Sequence, residues 1–448
     1  WVGMRQQRTL VKAFGIITQL VGGLLFIIDY PYSYDAMAFL NSEYLGSIIV
    51  AIAGLTTFYL LTHKADSDHK KNYFAQLFLF WSLSWWYIGA LFQIDRHLHV
   101  SYDIAVYVAL FAISDLLWLF VNLRYPRKLF LFFPWLLIIP LYICFFAATM
   151  NDHVFADYGY IAWPFAIAAI YSIFNFSDNK QLVLTGCNLL HTVSYILLTA
   201  ILCVESYWYL NNDLFAQSWS ISMIALIMVI SFQAISRLTI WPFKQHPDSY
   251  QKITALILLA GIAIWTLVGN FSQFLSPAPL PYITLLNPID MVQFLALFSI
   301  IEWYRKDQHS LGKVIPKNVF YAAMGGFCFI WFNVMLLKTI HLIDGVPYQL
   351  DALFNSAVVQ MALSISWTII GLLIMIMASK KSQRKVWIIG ASLSCLVVLK
   401  LFLLDLSDRG TVERIISFMV VGALLLVVGY FSPVPPVNNT KEGETANE

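Results

Sequence analysis

Apolar runs about twenty residues long recur from one end of this chain to the other, with short polar links between them. A bilayer's hydrocarbon core is about 30 Å thick and takes roughly 20 apolar helical residues to cross. Inside it a peptide group finds no water, so each run must close its own hydrogen bonds as a helix. Fourteen runs fit, at about 11–29, 43–62, 73–94, 101–121, 129–149, 159–176, 182–205, 216–236, 252–274, 289–304, 318–341, 352–379, 386–404 and 412–431. The predicted fold class is therefore all-α: a polytopic membrane helix bundle of about 14 transmembrane helices. The 289–304 run is short, and 352–379 is long enough to tilt. Links of about 6–15 residues leave no room for a soluble domain, so 1–431 reads as one multi-pass domain. The Pro-rich, then polar stretch 432–448 reads as a disordered cytoplasmic tail.

Charge sets the orientation, because cytoplasmic loops collect Lys and Arg. With the N-terminus placed inside, inner segments hold 22 of the 27 basic residues and ten acids, a balance of +12. Outer segments hold Arg96, Arg409 and Arg414 against fifteen acids, a balance of −12. Lys338 and Lys400 lie within helices. One helix more or fewer would scramble this alternation, so both ends are expected in the cytoplasm. The charged fraction is only 12%, against about 25% in soluble domains. A net charge of +2 points away from nucleic acid as a partner. The start, Trp-Val-Gly-Met, reads as the end of an earlier hydrophobic helix.

No P-loop, HExxH or GxSxG motif is present, so ATP hydrolysis by this chain is not expected. The five cysteines all lie in apolar segments without a CxxC pair and read as small buried hydrophobes. No cofactor and no metal is expected.

Polar residues in membrane-length runs need a partner or a task. On the third helix Trp81, Trp85, Gly89, Gln93 and His97 step by four and share a face. That helix ends in FQIDRHLH. A metal site there is disfavoured because neighbours Asp95 and Arg96 point about 100° apart. A polar helix end, with Arg96 paired to an outer acid, is the simpler reading. The seventh helix carries Asn188, His191 and Tyr195 on one face, with Glu205 at its outer end among aromatics. His191 reads as interhelical glue. Asp115, in the inner half of the fourth helix, is the best membrane-embedded carboxylate for proton coupling.

On the eleventh helix Lys338, His341 and Asp344 step by three, so they are expected to line one face near the outer end. The twelfth answers with Asp351, Asn355, Ser356, Gln360 and Ser364. These two stripes are expected to face each other or a water-filled cavity. The loop 273–290, with Pro277, Pro279, Pro281 and Pro288, is either extended or a lid over an outer cavity. Finally, a charged knot of Asp405, Asp408, Arg409, Glu413 and Arg414 joins the last two helices, and Lys400 can snorkel toward it. Thr411 reads as the N-cap of the final helix. Lys338, His341, Asp344, Lys400, Asp405, Arg409, Arg414, Glu205, Arg96 and His97 are thus the candidate substrate-binding residues.

Several stretches together resemble a bacterial family of predicted membrane proteins, domain of unknown function 2339. They are WVGMRQQRTLVKAFGIITQLVGG (1–23), FLNSEYLGSIIVAIAG (39–54), WSLSWWYIGALFQIDRHL (81–98), LPYITLLNPIDMVQFLAL (280–297), residues 327–367 and, most distinctively, KLFLLDLSDRGTVERIISF (400–418). The resemblance implies an all-helical, many-pass protein of the bacterial inner membrane, of which this chain corresponds to the C-terminal portion. It brings no catalytic residues to carry over. Three functions fit the sequence. The first is a transporter or flippase for a lipid-linked or anionic envelope substrate, in contact with membrane lipid. The second is a non-catalytic scaffold for envelope assembly. The third is a membrane enzyme using outer carboxylates and histidines as acid and base.

Overall fold

The computed structural model describes residues 8–28, 37–63, 72–97, 102–124, 132–211, 215–271, 278–306 and 315–400, with a few single positions besides. Among them there is no strand. The helices are α1 (Thr9–Ile28), α2 (Ser42–His63), α3 (Asn72–His97), α4 (Asp103–Arg124), α5 (Pro134–Asn151), α6 (Gly159–Asn179), α7 (Cys187–Leu210), α8 (Gln217–Arg237), a π-helical segment (Asp248–Thr254) running into α9 (Ala255–Phe271), α10 (Pro288–Lys306), α11 (Lys317–Asp344), α12 (Leu350–Asn355), α13 (Ala357–Lys380) and α14 (Arg384–Lys400). Among the described residues, eleven helical stretches are long and apolar enough to cross a membrane; α10 and α14 fall outside that set. The fourteenth predicted run and the tail lie outside the described residues, apart from single helical positions such as Met419 and Leu426.

One boundary corrects the sequence reading. The run 352–379 is two helices, not one tilted helix. Ser356 leaves helical geometry at ψ 119° and its hydroxyl accepts from the Val359 N–H, capping α13. A local hydroxyl supplied the cap that an apolar count does not register.

The chain divides into two compact units. The first comprises residues 1–212 and 220–263, the second 213–219 and 264–448. In the first, α4, α5, α6 and α7 bury Leu137, Leu141, Trp163, Ala166, Phe174, Leu190 and Leu197. A satellite core joins Phe58, Phe78 and Leu79 to Trp118 and Phe133, whose rings stack at 5.1 Å. In the second, Ile340, Leu353 and Val359 form a core where α11, α12 and α13 meet. Large apolar side chains stay exposed, among them Phe14, Ile143, Phe146, Phe294 and Phe298. In water such a surface would aggregate; in a bilayer it is the lipid-facing side.

Lipid tails are as apolar as leucine, so helices in a membrane associate through close packing. Small residues mark the tightest contacts. A Cβ on Gly89 would come 2.7 Å from the Ser47 Cβ, and one on Gly54 would come 2.9 Å from the Ser82 Cβ, where α2 meets α3. Between α13 and α14, a Cβ on Gly371 would lie 2.6 Å from the Ser394 hydroxyl and 3.1 Å from the Gly390 carbonyl. Gly371→Val is therefore expected to cost about 1–3 kcal/mol through overpacking. The thermal-unfolding midpoint of detergent-purified protein should fall accordingly. Gly325→Ala, whose Cβ meets nothing within 4 Å, should leave it unchanged or raised.

Candidate functional site

The C-terminal end of α3 forms a closed polar knot with the start of α2. Arg96 donates to the Glu43 carboxylate at 2.9 Å, and Gln93 donates to the same oxygen at 3.4 Å. Asn41 donates to Gln93 and accepts from the Tyr44 N–H at 2.8 Å. Glu43 is 1% exposed and Gln93 fully buried. Arg96 is thus paired with an acid, Glu43 at the start of α2, as expected; which side of the membrane this end lies on is an expectation from charge. His97 beside it is half-buried, with an enclosed Nε2 that has no hydrogen-bond partner.

Glu205 is similarly engaged within the first unit. It accepts from the Phe155 N–H at 2.8 Å and lies 3.1 Å from Nδ1 of His153. The His153 ring stacks on Trp208 at 3.7 Å. The aromatics around Glu205 therefore hold its histidine partner.

In the second unit the predicted Lys338–His341–Asp344 face does not form. Lys338 is 3% exposed, whereas Asp344 is exposed in the last turn of α11. Lys338 Nζ donates to the Gly269 carbonyl at 3.0 Å, and the Tyr348 hydroxyl donates to the Asn270 carbonyl at 3.2 Å. Both satisfy carbonyls in the last turn of α9, where a cation also complements the helix dipole. Burial pushes the Tyr348 phenol up to about 12. His341 meets the Val346 carbonyl through Nδ1 and closes the turn after α11, where Gly345 takes φ 71°.

The stripe on α13 also has a different partner from the one expected. Lys400 of α14 donates to the Gln360 carbonyl at 2.8 Å and to the Ser364 hydroxyl at 2.6 Å. α13 meets α11 through Trp367, which lies outside the expected stripe and donates to Asn333 at 2.6 Å. Asp405, Arg409 and Arg414 lie outside the described residues.

Two grooves and a small cavity stand out among the described residues. In the first unit a groove of about 440 Å³ is lined by Phe80, Trp81, Trp85, Ile88 and Phe92, with Arg96 among its walls. In the second, a groove of about 520 Å³ is lined by Leu337, Leu353, Leu363, Leu396 and Leu399, with Gln360 and Lys400. Both volumes suit a small-molecule or lipid-sized ligand. The cavity is about 20 Å³, room for a single water. It is lined by Asp115, Trp118, Asn122, Ser177 and Leu184 among others. Asp115 is 2% exposed, and neither carboxylate oxygen has a hydrogen-bond partner. Trp118 Nε1 and the Ser177 hydroxyl, on the same wall, are equally unpartnered. A bare carboxylate anion in such a place costs several kcal/mol. A bound proton or a bridging water removes that cost.

A second polar cluster sits where α6 ends and α7 begins. His246 Nε2 lies 3.0 Å from the Asp178 carboxylate, which also accepts from Trp241 at 2.8 Å. His191 and His246 stack at 3.9 Å, and Cys187 lies against them. The sequence pointed to His191 as helix glue, and it does meet Tyr250 at 3.0 Å. It did not join His191 to His246, because 55 residues and a whole helical hairpin separate them.

Arg96→Gln would leave Glu43 buried without its cation. The expected loss is on the order of 3 kcal/mol, read from the thermal-unfolding midpoint. The double variant Glu43→Gln/Arg96→Gln should recover part of it in a double-mutant cycle.

A family model described as a predicted membrane protein, DUF2339, matches residues 1–435. No curated protein matches. No solved structure matches.

Proposed function

The chain belongs to the DUF2339 family of predicted membrane proteins, and we propose that it moves an anionic, lipid-linked envelope substrate across a bacterial cytoplasmic membrane, coupled to proton binding. The observation that carries this reading is Asp115. It is a carboxylate within a membrane-length helix, buried, unpartnered and beside a water-sized cavity. Ionisable groups in such positions belong chiefly to ion and proton pathways. A purely structural aspartate would be expected to hold a partner.

The substrate class follows from the two grooves. Each has apolar walls for a lipid chain and one cationic side chain, Arg96 or Lys400, in its lining. A lipid with an anionic head complements that combination, with the apolar part buried and the charge near the guanidinium or ammonium.

A second reading, a non-catalytic assembly scaffold, is favoured by a different observation. Arg96, Glu205, Lys338, His341 and Lys400 all make local bonds within their own units.

Reconstituted proteoliposomes carrying tail-labelled fluorescent phosphatidylglycerol separate the two. Under an imposed pH gradient, the wild type should make the inner-leaflet probe accessible to an external quencher faster than protein-free vesicles. Asp115→Asn should lose the gradient-dependent acceleration about tenfold or more while remaining monodisperse. Wild-type rates equal to those of protein-free vesicles would leave the scaffold reading standing.

A further inference from the structure

We propose that Cys187, His191 and His246 form a binding site for a zinc-class divalent metal ion. One ligand atom from each lies within 4.8 Å of the others. Cys187 opens α7, and His191 follows one turn later on the same face. His246 comes from the link between α8 and the π-helical segment. A soft sulfur with two imidazole nitrogens is a zinc-type donor set, and three protein ligands leave a fourth position for water.

Two further features distinguish this cluster from a chance gathering. The first is that both histidines have their outer nitrogens held. Metal-bound imidazoles usually give their second nitrogen to a carboxylate or another polar partner, which fixes the ring and its tautomer. His246 Nε2 meets Asp178, itself anchored by Trp241, which leaves Nδ1 facing Cys187 Sγ at 3.9 Å. His191 Nδ1 meets the Tyr250 hydroxyl at 3.0 Å. The second feature is the remaining atom, His191 Nε2. It is buried and has no hydrogen-bond partner, in a residue that is 0% exposed. A buried ring nitrogen is seldom left idle, and a metal ion is one partner that answers it.

The rings are stacked, with an interplanar angle of 25°. Zinc bonds of about 2.0–2.3 Å in a tetrahedron place donor atoms about 3.3–3.7 Å apart. Binding therefore needs the two rings to tilt apart, and His246 is placed to do this because it lies in a link rather than inside a helix. The π-helical turn begins two residues later, at Asp248, and Ser249 and Thr254 bond back to Asn188 and Thr192. Such turns concentrate at functional sites. On binding, the Cys187 thiol gives its proton to solvent and a metal–sulfur bond forms. The neighbouring Lys180, Lys244 and Lys252 belong to the side assigned to the cytoplasm, a reducing compartment that keeps the thiol free. The ion would clamp the end of α6, the start of α7 and the entry to α9.

The test uses the full chain in detergent with its purification tag removed, stripped by chelator and kept reduced. After dialysis against zinc, elemental analysis should give about one ion per chain. Cobalt should bind with a thiolate-to-metal charge-transfer band. Cys187→Ser should abolish that band and weaken binding beyond the roughly 10–100-fold loss expected for Asp178→Asn. Metal-free variants should match the wild type in unfolding midpoint and gel-filtration profile. Where Cys187→Ser does not fold, His246→Gln takes its place, with the same loss of stoichiometric binding expected. Sub-stoichiometric zinc in the wild type, or an unchanged cobalt band in Cys187→Ser, would overturn the site and leave the cluster as a hydrogen-bonded staple.

Discussion

A peptide group in hydrocarbon has nothing to bond but another peptide group. From that constraint come both the long helices and the way they end. Helix termini leave carbonyls and amides open, and a terminus buried among other helices cannot hand them to water. The chain meets this demand with side chains. Lys338 and Tyr348 take the last carbonyls of α9. Ser356 caps α13, and Gly345 turns the chain out of α11. Lys338, a candidate ligand contact when read along the chain, is thereby occupied in closing backbone.

The acids follow a related rule. Glu43 and Glu205 are nearly or largely withdrawn from solvent and each holds a basic partner, Arg96 or His153. Asp178 holds His246 and Trp241. Asp115 has a small cavity where the others have a partner. That contrast with Glu43, Glu205 and Asp178 is what the proposed proton coupling rests on.

How much the chain discloses depends on the distance over which the physics acts. Membrane-length apolar runs follow from composition within about twenty residues, so helix existence was readable almost throughout. The Arg96–acid pairing was readable too, because a cation in a segment poor in other cations and rich in acids has a short list of partners. The Lys338–His341–Asp344 face was not. Steps of three place residues near one another on a helix, but neighbouring helices decide which of them is buried. Lys338 went inward to Gly269, while Asp344 remained in the exposed final turn. The break at Ser356 escaped because a single hydroxyl cap leaves no trace in an apolar count.

What the sequence determined alone is the class: a helical membrane protein. Hydrophobic length and charge asymmetry act locally and add along the chain. Only the tertiary structure decided the chemistry of the interior. It set Cys187 and His191 against His246 across a helical hairpin, placed Ser177 and Trp118 on the wall beside Asp115, and tied Lys400 to Ser364. These pairings depend on which helix faces meet. That is settled by close packing at positions such as Gly89, Gly371 and Gly390, whose effects extend well beyond their own turns.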